Sequence, residues 1–265
     1  MDLQLDGNTA LVMAASKGIG REIATQLAAE GAHVAISSRS RENLEAAREY
    51  IVETAGVGPD VVTLVPCDLS DPDAIRPAVE DAIDELGGLD HLITNHGGTT
   101  PKRFNEATIE EFDEQYTSIL KSTIIVIKAA LPALEASSGS MTHIVAATAL
   151  EPPEGLIFTS TIRSGIFGLS KSIANEHAAD GIRSNCVCPR SVHTGRIESK
   201  TEMIAERDDV PFDELMQERK DALPVGRLGS PEEFARTATY VASPAAGFLT
   251  GTVVPVDGGW SRKAF

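Results

Sequence analysis

Several things are scarce in this chain of 265 residues, and each shortage excludes something. No uninterrupted apolar run reaches the roughly 18 residues that a bilayer-crossing helix needs, so no such helix is expected. The opening Met1-Asp2-Leu3-Gln4-Leu5-Asp6 is acidic. It has neither the basic n-region nor the apolar core of a signal peptide, and the expectation is a cytoplasmic protein. The only cysteines, Cys67, Cys186 and Cys188, lie in apolar, strand-like runs. That odd number argues against a disulfide framework and for reduced, buried thiols. Cys186-Val187-Cys188 lacks zinc-site spacing, and no metal is expected. Positive charge is short: 23 Lys and Arg against 39 Asp and Glu leave −16. Such an excess repels nucleic-acid phosphate and anionic membrane, so neither is an expected partner. The acid surplus is a solvated surface, and a salt-adapted host is the sharper reading of it. No linker, repeat or low-complexity stretch is present, which leaves a single domain over 1–265.

What is there is an alternation of short apolar runs with longer amphipathic ones. Thr9 to Met13 reads as a buried strand, followed by a Gly-rich turn and a helix to Glu30. His33–Ser37, Val61–Cys67, His91–Thr94, Thr142–Ala147, Ser184–Cys188 and Thr252–Val256 read as further strands. Helices are predicted over Asn43 to about Ala55, from Asp71-Pro72-Asp73 onward, from the Thr108/Glu111 capping box toward Leu134, and over Phe158–Ala179. Ser230-Pro231-Glu232-Glu233 supplies an N-cap, a proline at the first turn and a glutamate three positions on for a last helix. Residues 196–222 are polar, acidic and weakly periodic, and read as a helical flap on the substrate side. Continuous apolar strands separated by helices predict α/β architecture, one doubly wound parallel sheet of about seven strands. Ligands of such sheets bind at the carboxyl ends of the strands.

The first strand runs into Ala14-Ala15-Ser16-Lys17-Gly18-Ile19-Gly20. Glycines between a strand and a helix let the backbone turn tightly and bring the helix N-terminus to an anion. With Asp68-Leu69 after the third strand, Asn95-His96-Gly97-Gly98 after the fourth, Pro189-Arg190-Ser191-Val192-His193-Thr194 after the sixth, Gly226 to Glu233, and Thr250-Gly251 through Gly259, the chain resembles the short-chain dehydrogenase/reductase family over nearly its whole length. The resemblance implies a Rossmann-type domain that binds a nicotinamide dinucleotide. It implies that Ala15, Ser16, Lys17, Gly18, Ile19 and Gly20 form the pyrophosphate turn, with Ala15 in the place of the family's first glycine. It further implies that Asp68 and Leu69 meet the adenine, Asn95 and Gly97 wall the nicotinamide ribose, and Thr194 and Val192, following Pro189, hold the carboxamide. At the end of the second strand an acidic residue would select NAD; here Ser38 is followed by Arg39, with Arg41 and Lys17 nearby. Cations around that ribose favour a 2′-phosphate, so NADP(H) is expected over NAD(H).

The catalytic pattern departs from the family. Its Tyr falls on Thr159, its Lys on Arg163, its helix Asn on Ile119, and its Ser near Thr148, next to Ala149. This resembles a divergent 3-oxoacyl-carrier-protein-reductase-like subgroup without the Tyr-x-x-x-Lys pair. Phe158 through Arg163 is similar to its Leu-Ser-Asn-x-x-Arg, with Ser160 in the Asn place. An aliphatic hydroxyl is too weak an acid for the usual relay, and arginine keeps its proton. His96, in the second Asn place, is the candidate donor because histidine titrates near neutrality; His193 is a weaker candidate. His143, read at the start of its strand, is structural. Arg190 with Arg163 is a candidate clamp for an anionic group on a small-molecule substrate. The sequence thus points to an NADP(H)-dependent oxidoreductase with a non-standard proton path. A non-catalytic dinucleotide-binding homologue, or an enzyme of another reaction class on the same fold, remains open. By resemblance, the helices near 108–135 and 158–179 pair copies into a homodimer or homotetramer through Ile124 to Ile127 and Ile166 to Leu169.

Overall fold

Alternation along the strands decides the layering. The computed structural model, which describes residues 1–262, contains seven parallel strands: β1 (Thr9–Val12), β2 (His33–Ser38), β3 (Val62–Pro66), β4 (His91–Thr94), β5 (Ser140–Ile144), β6 (Arg183–Pro189) and β7 (Val253–Val256). Their order in the sheet is β3-β2-β1-β4-β5-β6-β7. Successive side chains leave a strand on opposite faces. Ala10, Val12, Val34, Ile36 and Ile93 therefore pack in one apolar cluster, while Leu11, Met13, Ala35 and Leu92 pack in another. The first face is covered by α1 (Gly18–Ala29), α2 (Arg41–Ala55) and α10 (Pro231–Ala242). The second is covered by α3 (Pro72–Leu86), α5 (Ser122–Ser137) and α7 (Ser164–Glu176). The central strands β1 and β2 are thus apolar on both sides, as in a buried parallel sheet, while β5 carries the buried polar Ser140, Thr142 and His143.

Caps follow the sequence. The Ser40 side chain accepts from Asn43 N and that of Asp71 from Asp73 N, while Thr108 and Ser230 form capping boxes with Glu111 and Glu233. The helix opened by Thr108 is α4 (Ile109–Gln115), which passes through a π-helical turn (Tyr116–Lys121) into α5 as one rod of 29 residues. By length and composition alone this rod is long and apolar enough to cross a membrane, although no 18 of its residues form an uninterrupted apolar run. Its apolar content is that of a core helix: Val126, Ile127, Ala130 and Leu134 are buried against the sheet.

Other differences are local. β5 spans Ser140–Ile144 rather than 142–147, and the apolar residues beyond it enter a short helix, α6 (Ala147–Leu150). His143 accordingly lies near the carboxyl end of its strand. It is fully buried between Thr94 Oγ1 (2.8 Å) and Ser184 Oγ (3.1 Å), a structural position. The polar stretch at 196–222 folds as α8 (Gly195–Asp208) and α9 (Phe212–Asp221), broken where Asp209 adopts φ 53° ahead of Pro211. The three cysteines are free and buried, and burial raises each thiol, Cys67 to about 11 and Cys186 to about 12.

Candidate active site

Between β1 and β4 the chain order reverses, and the carboxyl ends of the strands open a cleft of about 650 Å³ there. Its floor is the turn after β1. Asn95 Nδ2 donates to Ala14 O at 3.2 Å, and a Cβ added at Gly20 would lie 2.5 Å from that same oxygen. Only glycine lets α1 approach so closely. The α1 N-terminus begins at Lys17 without a side-chain cap, which leaves its first N–H groups and the positive end of the helix dipole free for an anion. The methyl of Thr194, from the loop after β6, faces Gly18 across the cleft.

The turn corrects one assignment. Ala14, not Ala15, carries φ 49°, the left-handed conformation that favours glycine, and Ala14 lines the cleft. Ala15 is fully buried in the core and does not reach the cleft. The glycine position of the pattern is therefore Ala14, four residues before Gly18, and not Ala15.

Of the other expected dinucleotide residues, Ser16, Lys17, Gly18, Ile19, Ser38, Arg39, Asp68, Leu69, Asn95, Gly97 and Thr194 all line the cleft. Gly20, Pro189 and Val192 stand behind it: Val192 is buried and bridges to Gly229, fixing the loop that carries Thr194. Burial alone would raise the Asp68 carboxyl. Hydrogen bonds from Ser70 N (2.9 Å) and Ser70 Oγ (2.7 Å), with the nearby Arg39 charge, outweigh it and hold the group below the usual aspartate range. Among the described residues neither Lys17 nor Arg39 has a carboxylate within 4.0 Å, whereas Arg41 is paired with Glu45 and stands outside the cleft.

At the other end, Arg163 is buried and donates to Val145 O (3.0 Å) and, through a short contact, to Gly97 O. It clamps the end of β5 to the loop after β4 rather than projecting into the cleft. Burial and the charge of Arg196 lower its pKa to about 10, so it remains cationic at neutral pH. Thr159, also buried, shares a 2.6 Å hydrogen bond with Thr99 Oγ1. Thr148 is buried in α6. None of the three lines the cleft. Ile119 does, from the π-helical turn, and brings no polar group.

His96 does line it, and its expected titration near neutrality is corrected. Burial, then repulsion from Arg163 and His143, pushes its pKa down to about 3, so the ring is neutral. Thr123 Oγ1 donates to Ile119 O at 2.6 Å and therefore accepts from His96 Nε2 at 2.9 Å. The proton assigned by this network sits on Nε2, leaving Nδ1 a buried acceptor without a partner. Gln115 Oε1 is a second such acceptor in the cleft wall. His193 is turned outward to Glu198 at 3.0 Å. Gln115 and Ser118 are not evident from sequence because their inward direction depends on the π-helical turn. Arg196 is not evident either, because its guanidinium reaches back from α8 to fill the space that a Cβ would take at Gly98.

A parallel sheet with this strand order and a cleft over its reversal point defines a Rossmann-type nucleotide-binding domain. The family described as enoyl-(acyl carrier protein) reductase matches residues 13–261. The chain is 32% identical over 260 residues to 3-oxoacyl-[acyl-carrier-protein] reductase FabG of Aquifex aeolicus (strain VF5), covering 98% of this chain and 99% of that protein. L-sorbose reductase from Gluconobacter frateurii, solved with NADPH and L-sorbose, superposes with a TM-score of 0.93 at 26% identity, covering 99% of this chain and 100% of that one. A short-chain oxidoreductase from Pseudomonas aeruginosa PAO1, described as containing an atypical catalytic center, gives 0.87 at 30% identity, covering 97% and 98%. The chain belongs to the short-chain dehydrogenase/reductase family.

Proposed function

We propose that this protein is an NADP(H)-dependent oxidoreductase acting on a carbonyl or alcohol substrate, with a proton path that does not use a Tyr–Lys pair. The observation that carries the reading is the exposed pair Lys17 and Arg39 beside Ser38, neither of them in an ion pair among the described residues of a chain of net charge −16. A 2′-phosphate fits that arrangement; a second hydroxyl would leave it unused. The cradle fits the rest of a dinucleotide: the open α1 N-terminus with Ser16, Gly18 and Ile19 for the pyrophosphate, Asp68 and Leu69 for the adenine, Asn95 and Gly97 for the ribose, Thr194 for the carboxamide. Pro189, Val192 and Gly20 act through packing. When bound, the nicotinamide supplies or accepts a hydride.

The chain's own residues then have limited roles. Arg163 fixes the Gly97 carbonyl and lends positive potential to the end of the cleft where an alkoxide would form. Thr159 and Thr148 shape the wall behind it. Neutral His96 accepts at Nδ1 and, with Gln115 Oε1, holds water or a substrate hydroxyl; it positions and does not ionise. The proton is drawn from solvent. The polar face of α8 and α9 forms a substrate-side flap over the carboxyl ends of the strands. Copies pair through the long helices, where Ile124, Ile125, Phe167 and Leu169 are left partly exposed while Val126, Ile127 and Ile166 turn into the protein's own core. A dimer or tetramer is expected by light scattering, and a monomer would contradict it. We assign the protein to the cytoplasm.

A second reading, a dinucleotide-binding protein without turnover, is favoured by the Thr159 hydroxyl being engaged with Thr99 and by Ile119 in the cleft wall. Fluorescence titration with NADPH and NADH tests the first element of both. A contact of charged groups with a phosphate contributes about 1.5–3 kcal/mol, so NADPH is expected to bind at least about tenfold more tightly. Equal affinities contradict the assignment. Tight NADPH binding with no oxidation across a carbonyl panel favours the second reading.

A further inference from the structure

At Gly98 the cleft meets the flap, where Arg196 of α8 lines its wall. Four cations lie close enough to act on one another at this edge: Arg190 from the end of β6, Arg196 and Lys200 one turn apart on α8, and Arg219 on α9. Among the described residues none of them has a carboxylate within 4.0 Å, although acids outnumber bases 39 to 23 in the chain. Their existing contacts leave most of their donors free. Arg219 Nε donates to Thr201 Oγ1 at 2.9 Å. Arg190 lies over the Trp260 ring, 4.4 Å from its centroid, and its buried Nε has no partner. The nearest acid to act on Arg190, Asp257, is already held by Gly259 N, Ser261 N and Ser261 Oγ. The cations repel one another: burial, then Arg219, Arg196 and Arg190, lower the Lys200 ammonium.

Arg190, Lys200 and Arg219 are half-buried and Arg196 is exposed, and partly buried like charges without counter-ions are costly unless something supplies the missing charge. We propose that Arg190, Arg196, Lys200 and Arg219 form the anion-binding half of the substrate site, and that the carbonyl substrate carries a carboxylate or phosphate. The proposal rests on the oxidoreductase reading for the carbonyl, but the anion site stands on its own residues. Arg196, against Gly98, links the two halves. Lys200 lies one helical turn, about 5.4 Å, further along. A small carbonyl compound carrying a carboxylate or phosphate suits these cations better than a long neutral acyl chain. The clamp foreseen from sequence, Arg190 with Arg163, is replaced: Arg163 is committed to two backbone carbonyls, and Arg196, Lys200 and Arg219 take its place.

Trp260 is the chain's single tryptophan and stacks on Arg190, so it reports on the site directly. The experiment titrates the protein, with and without saturating NADP+, with malonate and separately with inorganic phosphate, holding ionic strength constant with KCl, and follows Trp260 emission. A saturable change with at least one anion is expected. Lys200→Gln and Arg219→Gln should each weaken it about tenfold or more. Among the described residues Lys200 makes no hydrogen bond, so its variant remains informative if loss of the Arg219–Thr201 contact destabilises the other. Malonate acting alone identifies a carboxylate substrate, and phosphate acting alone a phosphorylated one. No response beyond KCl, or unchanged affinity in Lys200→Gln, overturns the proposal. If NADP+ binds and the anions do not, the anion site falls and the oxidoreductase reading survives. An anion response without dinucleotide binding keeps the anion site and removes the oxidoreductase reading.

Discussion

Exchanging alanine for glycine at two neighbouring positions should have opposite effects. Ala14 holds φ 49° in the turn after β1, while Ala15 buries its methyl completely in the core. The left-handed conformation costs a residue with a Cβ about 1–2 kcal/mol. Glycine at 14 removes that cost but gives the unfolded chain about 0.4–1 kcal/mol of extra conformational entropy. A net gain of about 0.5–1 kcal/mol is expected for Ala14→Gly, or roughly 2 °C in Tm for a chain of this length. Ala15→Gly gains nothing from its backbone. It loses a buried methyl, about 0.8 kcal/mol, and incurs the same entropy term, for a loss of about 1.5 kcal/mol. Urea unfolding followed by circular dichroism measures both, and the midpoints should move in opposite directions. Because Ala14 lines the cleft, its glycine variant should also bind NADPH more tightly. An Ala14→Gly protein less stable than the parent, or an Ala15→Gly protein unchanged, would refute the placement of the strain.

Other outcomes rest on the same geometry. Arg39→Ala should weaken NADPH about tenfold while leaving NADH nearly unchanged, measured by cofactor fluorescence; equal losses for both would remove the 2′-phosphate role. Arg163→Lys cannot serve both Gly97 O and Val145 O, and should lower stability by about 1–3 kcal/mol without installing a relay, since position 159 still offers only a threonine. His91, His96 and His143 have pKa values lowered by burial to about 4, 3 and 4. Below the unfolded value of about 6.5 the unfolded chain binds protons that the folded one refuses, so stability is complete above that pH and falls as pH drops toward 4, with a slope of up to three protons. Chemical denaturation at pH 5, 6 and 7 measures it, and a flat profile contradicts the burial of neutral rings. Stability should rise between about 0.1 and 2 M KCl as the acidic surface is screened; no change argues against a salt-adapted origin.

The sheet was legible because its signal is redundant. His91–Thr94 is predicted and found at the same bounds, and Ala10 and Val12 alternate with Leu11 and Met13 between two helix-covered faces. The cleft was legible for a related reason: glycines, Asp68 and Asn95 recur at strand ends that the parallel order brings together. The failures turned on torsion and direction. The special alanine was placed at 15, whereas both the backbone angle and the four-residue spacing to Gly18 put it at 14. The apolar run Val145-Ala146-Ala147 read as strand because apolarity continues, although the chain has already turned into α6. The polar stretch after Thr194 was read as a helical flap and is helical, but nothing in its composition indicates that Arg196, Lys200 and Arg219 lie near the end of β6. His96 was judged by its free titration, and packing beside Arg163 overrides that.

The two π-helical turns, Tyr116–Lys121 and Thr159–Arg163, have an evolutionary consequence. Each is equivalent to one extra residue accommodated in a helix without breaking it. Deleting a single residue from either would let the helix regularise and rotate its downstream turns by about 100° relative to the upstream ones. Ile119 and Gln115 would no longer face the same cleft, and Arg163 would leave the two carbonyls it joins. Gaps in these segments should therefore be far rarer among descendants of this gene than substitutions, so its lineage can alter the chemistry of the site by exchanging side chains but not by changing the length of either helix.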